Sequence, residues 1–248
     1  MASKMDKLNI VFPMAGGNNF FNEQEYPYPK PLIEIFGTTM IGLVIKNFSS
    51  LEKACFNFIL DEEENKKFHL SDSIKLICNN ESNFIQAKSQ TKGAACSAML
   101  AIDNIGENGE LIIANSDQLF DFQLDQVLDY FRKENADAGV ITHDSAHPRW
   151  SYVLEENGLV VESQEKRPIS KSAICGFYYF KKAKYFFESS ESMILKGNTT
   201  SENFYISPCL NEMILRDKRV LNYKIENNSY HTFYSPQKIT EYELTKTP

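Results

Sequence analysis

No stretch of this sequence approaches the roughly 18 consecutive apolar residues that a membrane-spanning helix needs, so no spanning helix is expected. Cysteine is sparse: five in 248 residues, none in Cys-x-x-Cys spacing. Cys55, Cys78, Cys96 and Cys175 fall in or beside apolar segments, where buried free thiols are the plain expectation. Positive charge is also short. Lys and Arg number 26 against 33 Asp and Glu, a net charge of −7, so neither nucleic acid nor an anionic membrane is an expected partner. An anionic small substrate would have to be met by charge concentrated locally. There is no Gly-x-Ser-x-Gly elbow, no P-loop, and no Gly-x-Gly-x-x-Gly after the first strand. Internal repeats and low-complexity linkers are missing too. With no secretory leader in the sequence, the expected compartment is the cytoplasm.

What is present is an ordinary globular composition, 42% hydrophobic and 24% charged. A chain of this length buries roughly 70–75% of its unfolded surface, enough for a single domain over 1–248. The polar stretch 1–7 reads as a frayed end. Apolar runs predict strands at 8–12, 55–60, 74–78, 110–114 and 138–142, and helical periodicity predicts helices at 38–49, 61–68, 92–105 and 124–134. This alternation implies an α/β fold with a mainly parallel central sheet and helices on both faces. The second half changes character. Short strands at 151–154 and 160–162 flank Asn157-Gly158, a hairpin signal. A long aromatic strand at 174–180, helices at 183–195 and 209–216, and a strand at 220–225 follow, so an antiparallel C-terminal portion is expected.

In open parallel sheets, ligands sit beyond the carboxyl ends of the strands. One such end carries Met14-Ala15-Gly16-Gly17-Asn18-Asn19, small residues whose backbone N–H groups can approach a phosphate, although they also suit a plain turn. Pro29-Lys30-Pro31 follows, holding a lysine on stiff backbone. A second end is Asn115-Ser116-Asp117, where Asp117 is a candidate ligand for Mg²⁺ and a cap or Asx-turn is the simpler use. In Glu165-Lys166-Arg167-Pro168, Lys166 can neutralise a phosphate and Glu165 can accept from a hydroxyl or amine; a solvated charged loop has the same composition. Gln90-Thr91-Lys92-Gly93 leads into a helix whose start favours anions, and Gln90 or Thr91 can read a base edge. His143 and His147 stand four apart, but Pro148 and the lack of a third ligand argue against zinc.

Taken together, and over almost the whole chain, these segments resemble the nucleotidyltransferases that make activated sugars and related compounds. Ala15-Gly16-Gly17-Asn18-Asn19-Phe20-Phe21 followed by Pro29-Lys30-Pro31 resembles that family's loop and its Pro-Lys-Pro. Gly93-Ala94-Ala95, Asp117, Glu165-Lys166-Arg167-Pro168, the segment from Gly176 through Tyr178 to Phe180, and Glu202-Asn203-Phe204-Tyr205 resemble its later motifs, in order. The resemblance implies a Rossmann-like, GT-A-type fold, with about 8–143 binding nucleotide and about 144–248 binding acceptor. It implies catalytic roles for Lys30, Asp117 and Lys166, with Mg²⁺ on Asp117. Met14, Ala15, Gly16, Gly17, Asn18, Gln90, Thr91, Gly93, Asn115 and Ser116 would face the nucleotide. Glu165, Gly176, Tyr178, Glu202 and Tyr205 would face the acceptor.

The segments 145–153 and 211–214 resemble a subgroup from bacterial surface-polysaccharide clusters that includes cytidylyltransferases. The substrates implied are therefore a nucleoside triphosphate, CTP first, and a phosphorylated small molecule such as phosphoglutamine. Related enzymes are often dimers or tetramers, so a homo-oligomer is implied as well. Two departures stand out. Phe20 replaces the usual loop arginine and Asn18 the second glycine, and Thr232-Phe233-Tyr234-Ser235 replaces an Asp-x-Gly-Thr that often supplies a second metal carboxylate. Three alternatives stay open: a UTP- or dTTP-dependent sugar-1-phosphate enzyme, a glycosyltransferase of similar architecture, and a catalytically silent nucleotide-binding homologue.

Overall fold

The computed structural model describes residues 7–16, 20–22, 24–51 and 53–246. Gly17 and Asn18 of the small-residue loop, and the leader up to residue 6, lie outside the described residues. The strands run β1 (Asn9–Pro13), β2 (Glu34–Ile35), β3 (Thr38–Thr39), β4 (Cys55–Asp61), β5 (Ser82–Ala87), β6 (Leu111–Ala114), β7 (Gln118–Phe120), β8 (Ala138–Asp144), β9 (Ser151–Glu156), β10 (Leu159–Glu165), β11 (Ser172–Phe180), β12 (Val220–Lys224) and β13 (Tyr230–Thr232). The helices are α1 (Met40–Asn47), α2 (Glu62–Phe68), α3 (Leu70–Ile77), α4 (Ala94–Met99), α5 (Leu124–Lys133), α6 (Ala183–Leu195), α7 (Ser207–Ile214) and α8 (Pro236–Lys246).

β5, β4, β1 and β6 lie side by side and parallel. β11 then runs antiparallel to both β6 and β8, and β12 closes the edge parallel to β8. The hairpin β9–β10 joins through Ala173 opposite Tyr152, beyond the end of β6. The architecture is therefore a mainly parallel sheet with antiparallel strands in its C-terminal part. Side chains alternate between its faces. Phe12, Phe56 and Phe58 join one apolar layer with α1 and α5, and Val11, Ile59 and Ile113 join a second with α4, α6 and α7.

Several expectations are corrected. Residues 74–78 do not form a strand, because Leu70 and Ile74, one helical turn apart, bury one face of α3. The strand is instead β5, a half-buried polar run that pairs with β4. The expected helix over 92–105 stops at Met99 and resumes only as the short 3-10 turn Ile102–Asn104. Helix α1 begins at Met40, because Thr38–Thr39 pairs as a strand and the Thr39 side chain accepts from the Gly42 N–H as an N-cap. β10 is longer than expected and ends on Glu165 itself. All five cysteines are free; Cys55, Cys175 and Cys209 are buried, and Cys78 and Cys96 are half-buried.

Candidate active site

β1 and β6 are adjacent and parallel, so the chain leaves both at the same sheet edge. After β1, the Met14 N–H donates to the Ile59 carbonyl at 2.9 Å, which aims residues 14–16 over that edge. After β6, the turn Asn115-Ser116-Asp117 rests on a bulge in β11. The register of β11 shifts between Ile174 and Tyr178, and Gly176 sits there at φ +58°. The freed Gly176 carbonyl accepts from the Asn115 N–H at 3.0 Å and from Gln118 Nε2 at 2.9 Å. A Cβ at Gly176 would lie 2.2 Å from Asn115 Nδ2, so a larger residue would displace the Asn115 side chain as well as strain a positive-φ backbone. Gly176 is thus the floor of the turn that carries Asp117. From the other side, the Phe233 N–H donates to the Asp117 carbonyl at 2.7 Å, and β13 pairs with β7 up to Thr232 opposite Gln118.

Lys30 opens a short 3-10 turn, Lys30–Leu32, set by the flanking prolines and closed by the Leu32 N–H on the Pro29 carbonyl at 2.8 Å. Its ammonium forms an ion pair with the Asp117 carboxylate and lies 5.8 Å from the centre of the buried Phe21 ring. Lys30, Asp117, Asn115, Ser116, Met14 and Gly16 therefore share one cleft of about 250 Å³. Glu64 lines it too, its carboxyl pushed up by burial and by the nearby Asp61 charge. Ala15 is buried in the second apolar layer.

A second group gathers where β10 meets α7. Glu165 accepts hydrogen bonds from the Ser151 and Ser207 hydroxyls, the latter at 2.7 Å. Burial raises its pKa, against the pull of those hydroxyls and the Lys166 charge. Lys166, at φ +55°, donates to the Tyr205 hydroxyl at 2.6 Å, its ammonium 4.7 Å from the centre of the Tyr205 ring. Tyr178 is buried nearby, its phenol pKa raised by desolvation and then by the Glu165 charge. A buried carboxyl with a raised pKa destabilises the fold only once it ionises. The cost is absent below the unfolded value of about 4.3 and appears as pH rises through the folded one. Glu165→Gln should therefore raise the melting temperature more at pH 7.5 than near pH 4, where the carboxyl is largely protonated in either state. Thermal unfolding at the two pH values checks this.

Gln90 and Thr91 do not line the Lys30–Asp117 cleft. They line another, of about 640 Å³, together with Lys92, Thr199 and residues 201–204, Glu202 among them. Those segments pack together at Gly93, which sits at φ +99°. The Phe204 N–H donates to the Lys92 carbonyl at 2.8 Å, and the Ala95 N–H to the Phe204 carbonyl at 3.1 Å. Residues expected to face the nucleotide thus meet a residue expected to face the acceptor, in one cleft.

Among the described residues, no group of three or more His, Cys, Asp or Glu side chains gathers to hold a metal. The donors at the Lys30 cleft fit a Mg²⁺ held by Asp117 and chiefly by phosphate oxygens and water, the usual preference of that ion. Phe233 does lie against Asp117, and Thr232 pairs with Gln118 beside it, but neither brings a carboxylate. His143 is buried, its Nδ1 3.3 Å from the Cys175 thiol, and desolvation lowers its pKa. Sequence reasoning missed Glu64, Ser151, Ser207 and the Phe233 anchor. None carries a local signal, since each is brought to its site only by the fold.

The sequence matches the family described as Nucleotidyl transferase over residues 26–232. No curated protein matches it in sequence. Among solved structures the chain is similar to a nucleoside-diphosphate-sugar pyrophosphorylase from Vibrio cholerae, with TM-score 0.81 and 20% identity over 95% of this chain and 99% of that one. It is also similar to a UDP-glucose pyrophosphorylase complexed with UDP-glucose, with TM-score 0.75 and 16% identity over 97% and 98%. The inositol-1-phosphate CTP transferase from T. maritima gives TM-score 0.75 and 13% identity over 99% and 97%. At these identities the likeness concerns the fold.

Proposed function

The chain belongs to the nucleotidyl transferase family, and from that premise we propose that it transfers a nucleoside monophosphate from a nucleoside triphosphate to a phosphorylated small molecule, releasing pyrophosphate. The observation that carries this reading is the pairing of Lys30 with Asp117 in a cleft at the ends of β1 and β6. CTP is the favoured donor and phosphoglutamine the favoured acceptor, in bacterial surface-polysaccharide synthesis. The support is the sequence resemblance to that subgroup; a CTP transferase among the structural relatives is consistent with the donor.

The acceptor phosphate attacks the α-phosphorus and pyrophosphate leaves in line. A phosphomonoester is already mostly ionised at neutral pH, its second pKa being about 6, so the protein need not supply a base. Its task is to align two anions and offset their charge. Ala15 and Gly16 present backbone N–H groups to the triphosphate, Lys30 meets the reacting phosphates, and Lys166, steered by Tyr205, takes the acceptor phosphate. Glu165 orders the acceptor edge through Ser151 and Ser207. Bound at Asp117, Mg²⁺ would supply charge neutralisation at the triphosphate.

Pyrophosphate release with Mg²⁺ tests the reading, pairing each ribonucleoside triphosphate and dTTP with phosphoglutamine, phosphocholine and sugar phosphates. Release is expected with one donor–acceptor pair, CTP with phosphoglutamine first. A second reading, nucleotide binding without turnover, draws on Phe20, which is 63% exposed and meets the edge of Tyr234 instead of presenting a cation. Calorimetric nucleotide binding with no pyrophosphate from any pair would favour it.

A further inference from the structure

Where the loop after β8 meets β13 and α8, there is another cleft, of about 410 Å³, with aromatic walls that include Trp150, Tyr230, Tyr234 and Tyr242. Its charges are almost all matched. Asp144 pairs with Lys224, Glu241 with Lys238, and His231 with Asp121. Burial holds His143 toward its neutral form, with the Ala173 backbone and Asp144 opposing. His147 accepts from the Arg149 backbone N–H at 3.2 Å, and Arg149 is the exception among the permanently charged groups. Among the described residues it has no acidic partner, and its Nε is shut off from solvent with no hydrogen-bond acceptor. Its guanidinium carbon lies 3.6 Å from the centre of the Tyr234 ring, which fixes the plane of the group. A buried N–H without an acceptor is costly, and, with Nε shut off, the two Nη groups of a guanidinium held flat offer the fork that fits a carboxylate or phosphate.

We propose that this cleft is a binding site for a small organic anion, its carboxylate or phosphate gripped by Arg149 and its body packed against Trp150 and the tyrosines. The site is separate from the Lys30 cleft but tied to it. Tyr234 follows Phe233, whose N–H holds the Asp117 carbonyl, and Ser151, two residues after Arg149, holds Glu165. An anion on Arg149 therefore bears on backbone that positions both Asp117 and the acceptor edge.

Trp150 is the only tryptophan in the chain, so its fluorescence reports occupancy without nucleotide or turnover, and the outcome is independent of the proposed reaction. The probes are glycerate, glycerol 3-phosphate and 3-phosphoglycerate, with glycerol as the neutral control. A saturable change is expected with at least one anion and none with glycerol. Glycerate binding more tightly than glycerol 3-phosphate would assign the fork to a carboxylate, and the reverse order to a phosphate. Arg149→Met should weaken binding at least tenfold, Arg149→Lys less, and Lys238→Met should change it little. Circular dichroism of each variant checks that it folds. The proposal is overturned if none of the three anions gives a saturable change, if Arg149→Met binds as tightly as the parent, or if Lys166→Met abolishes the response while Arg149→Met does not.

Discussion

Asp117→Asn should reduce pyrophosphate release by at least about 10²–10³-fold, the usual loss when one preorganised charged contact at a reacting phosphate is removed. The fold should survive. Asparagine is nearly isosteric, and the contacts that fix the turn do not use the Asp117 side chain: Asn115 N–H and Gln118 Nε2 on the Gly176 carbonyl, and Phe233 N–H on the Asp117 carbonyl. The side chain makes one further contact, the ion pair with Lys30, at the edge of a cleft open to water. Losing it frees the lysine to be solvated and leaves no buried charge stranded, so the cost to stability should stay small. Binding and turnover should then separate. Without Mg²⁺, triphosphate should bind the variant at least as well as the parent, because a negative charge has left the cleft while Lys30 remains. With Mg²⁺, turnover should fall without recovery at saturating nucleotide. Calorimetry with and without the metal, beside steady-state rates, reads both effects. Near-parental turnover would remove Asp117 from the chemistry.

How much of the fold and the site is legible in the sequence depends on how local each signal is. The strand ends at Pro13 and Ala114 follow strongly apolar runs, and the residues after them, with proline on both sides of Lys30, mark the cleft along the chain itself. Asn157-Gly158 joins β9 to β10 with both residues at positive φ, the conformation a two-residue hairpin turn demands. Residues 74–78 mislead because Ile74, Leu76 and Cys78 alternate as in a strand, yet Leu76 is 87% exposed and the buried pair is Leu70 and Ile74. β5 is hidden because its partners include Asn83 on Asn57, a polar pair at 2.9 Å that no apolar pattern announces. In the site, Lys30 and Asp117 are marked by their own neighbours. The meeting of Gln90 with Glu202, and of Ser207 with Glu165, is set by tertiary packing and leaves no mark along the chain.

The packing at Gly93 carries the largest expected effect on stability. Gly93 sits at φ +99° and ψ 171°, a conformation that side-chain-bearing residues avoid at a cost of order 1–3 kcal/mol. A Cβ there would lie 2.4 Å from the Phe204 carbonyl oxygen and 2.8 Å from its nitrogen, and backbone cannot swing aside as a side chain can. Gly93→Ala must therefore push residues 199–205 away and break the Phe204–Lys92 and Ala95–Phe204 hydrogen bonds, each worth about 1 kcal/mol net. Together these should cost about 3–5 kcal/mol, lowering the melting temperature by roughly 2–4 °C for each kcal/mol. Gly16→Ala is the matched contrast. Among the described residues no atom lies within 4 Å of a new Cβ at Gly16, and its φ is not positive, so its effect on stability should stay within about 0.5 kcal/mol. Function should follow the same displacement. Tyr205 is next to Phe204 and orients Lys166, so moving that backbone loosens the hold on the acceptor phosphate while leaving Lys30 and Asp117 in place. Activity that remains below the lowered melting temperature should therefore show a raised KM for the acceptor, with the KM for the triphosphate changed less. A melting temperature within a degree of the parent would mean that the Lys92–Gly93 backbone relaxes without cost and that the close packing there is not a constraint.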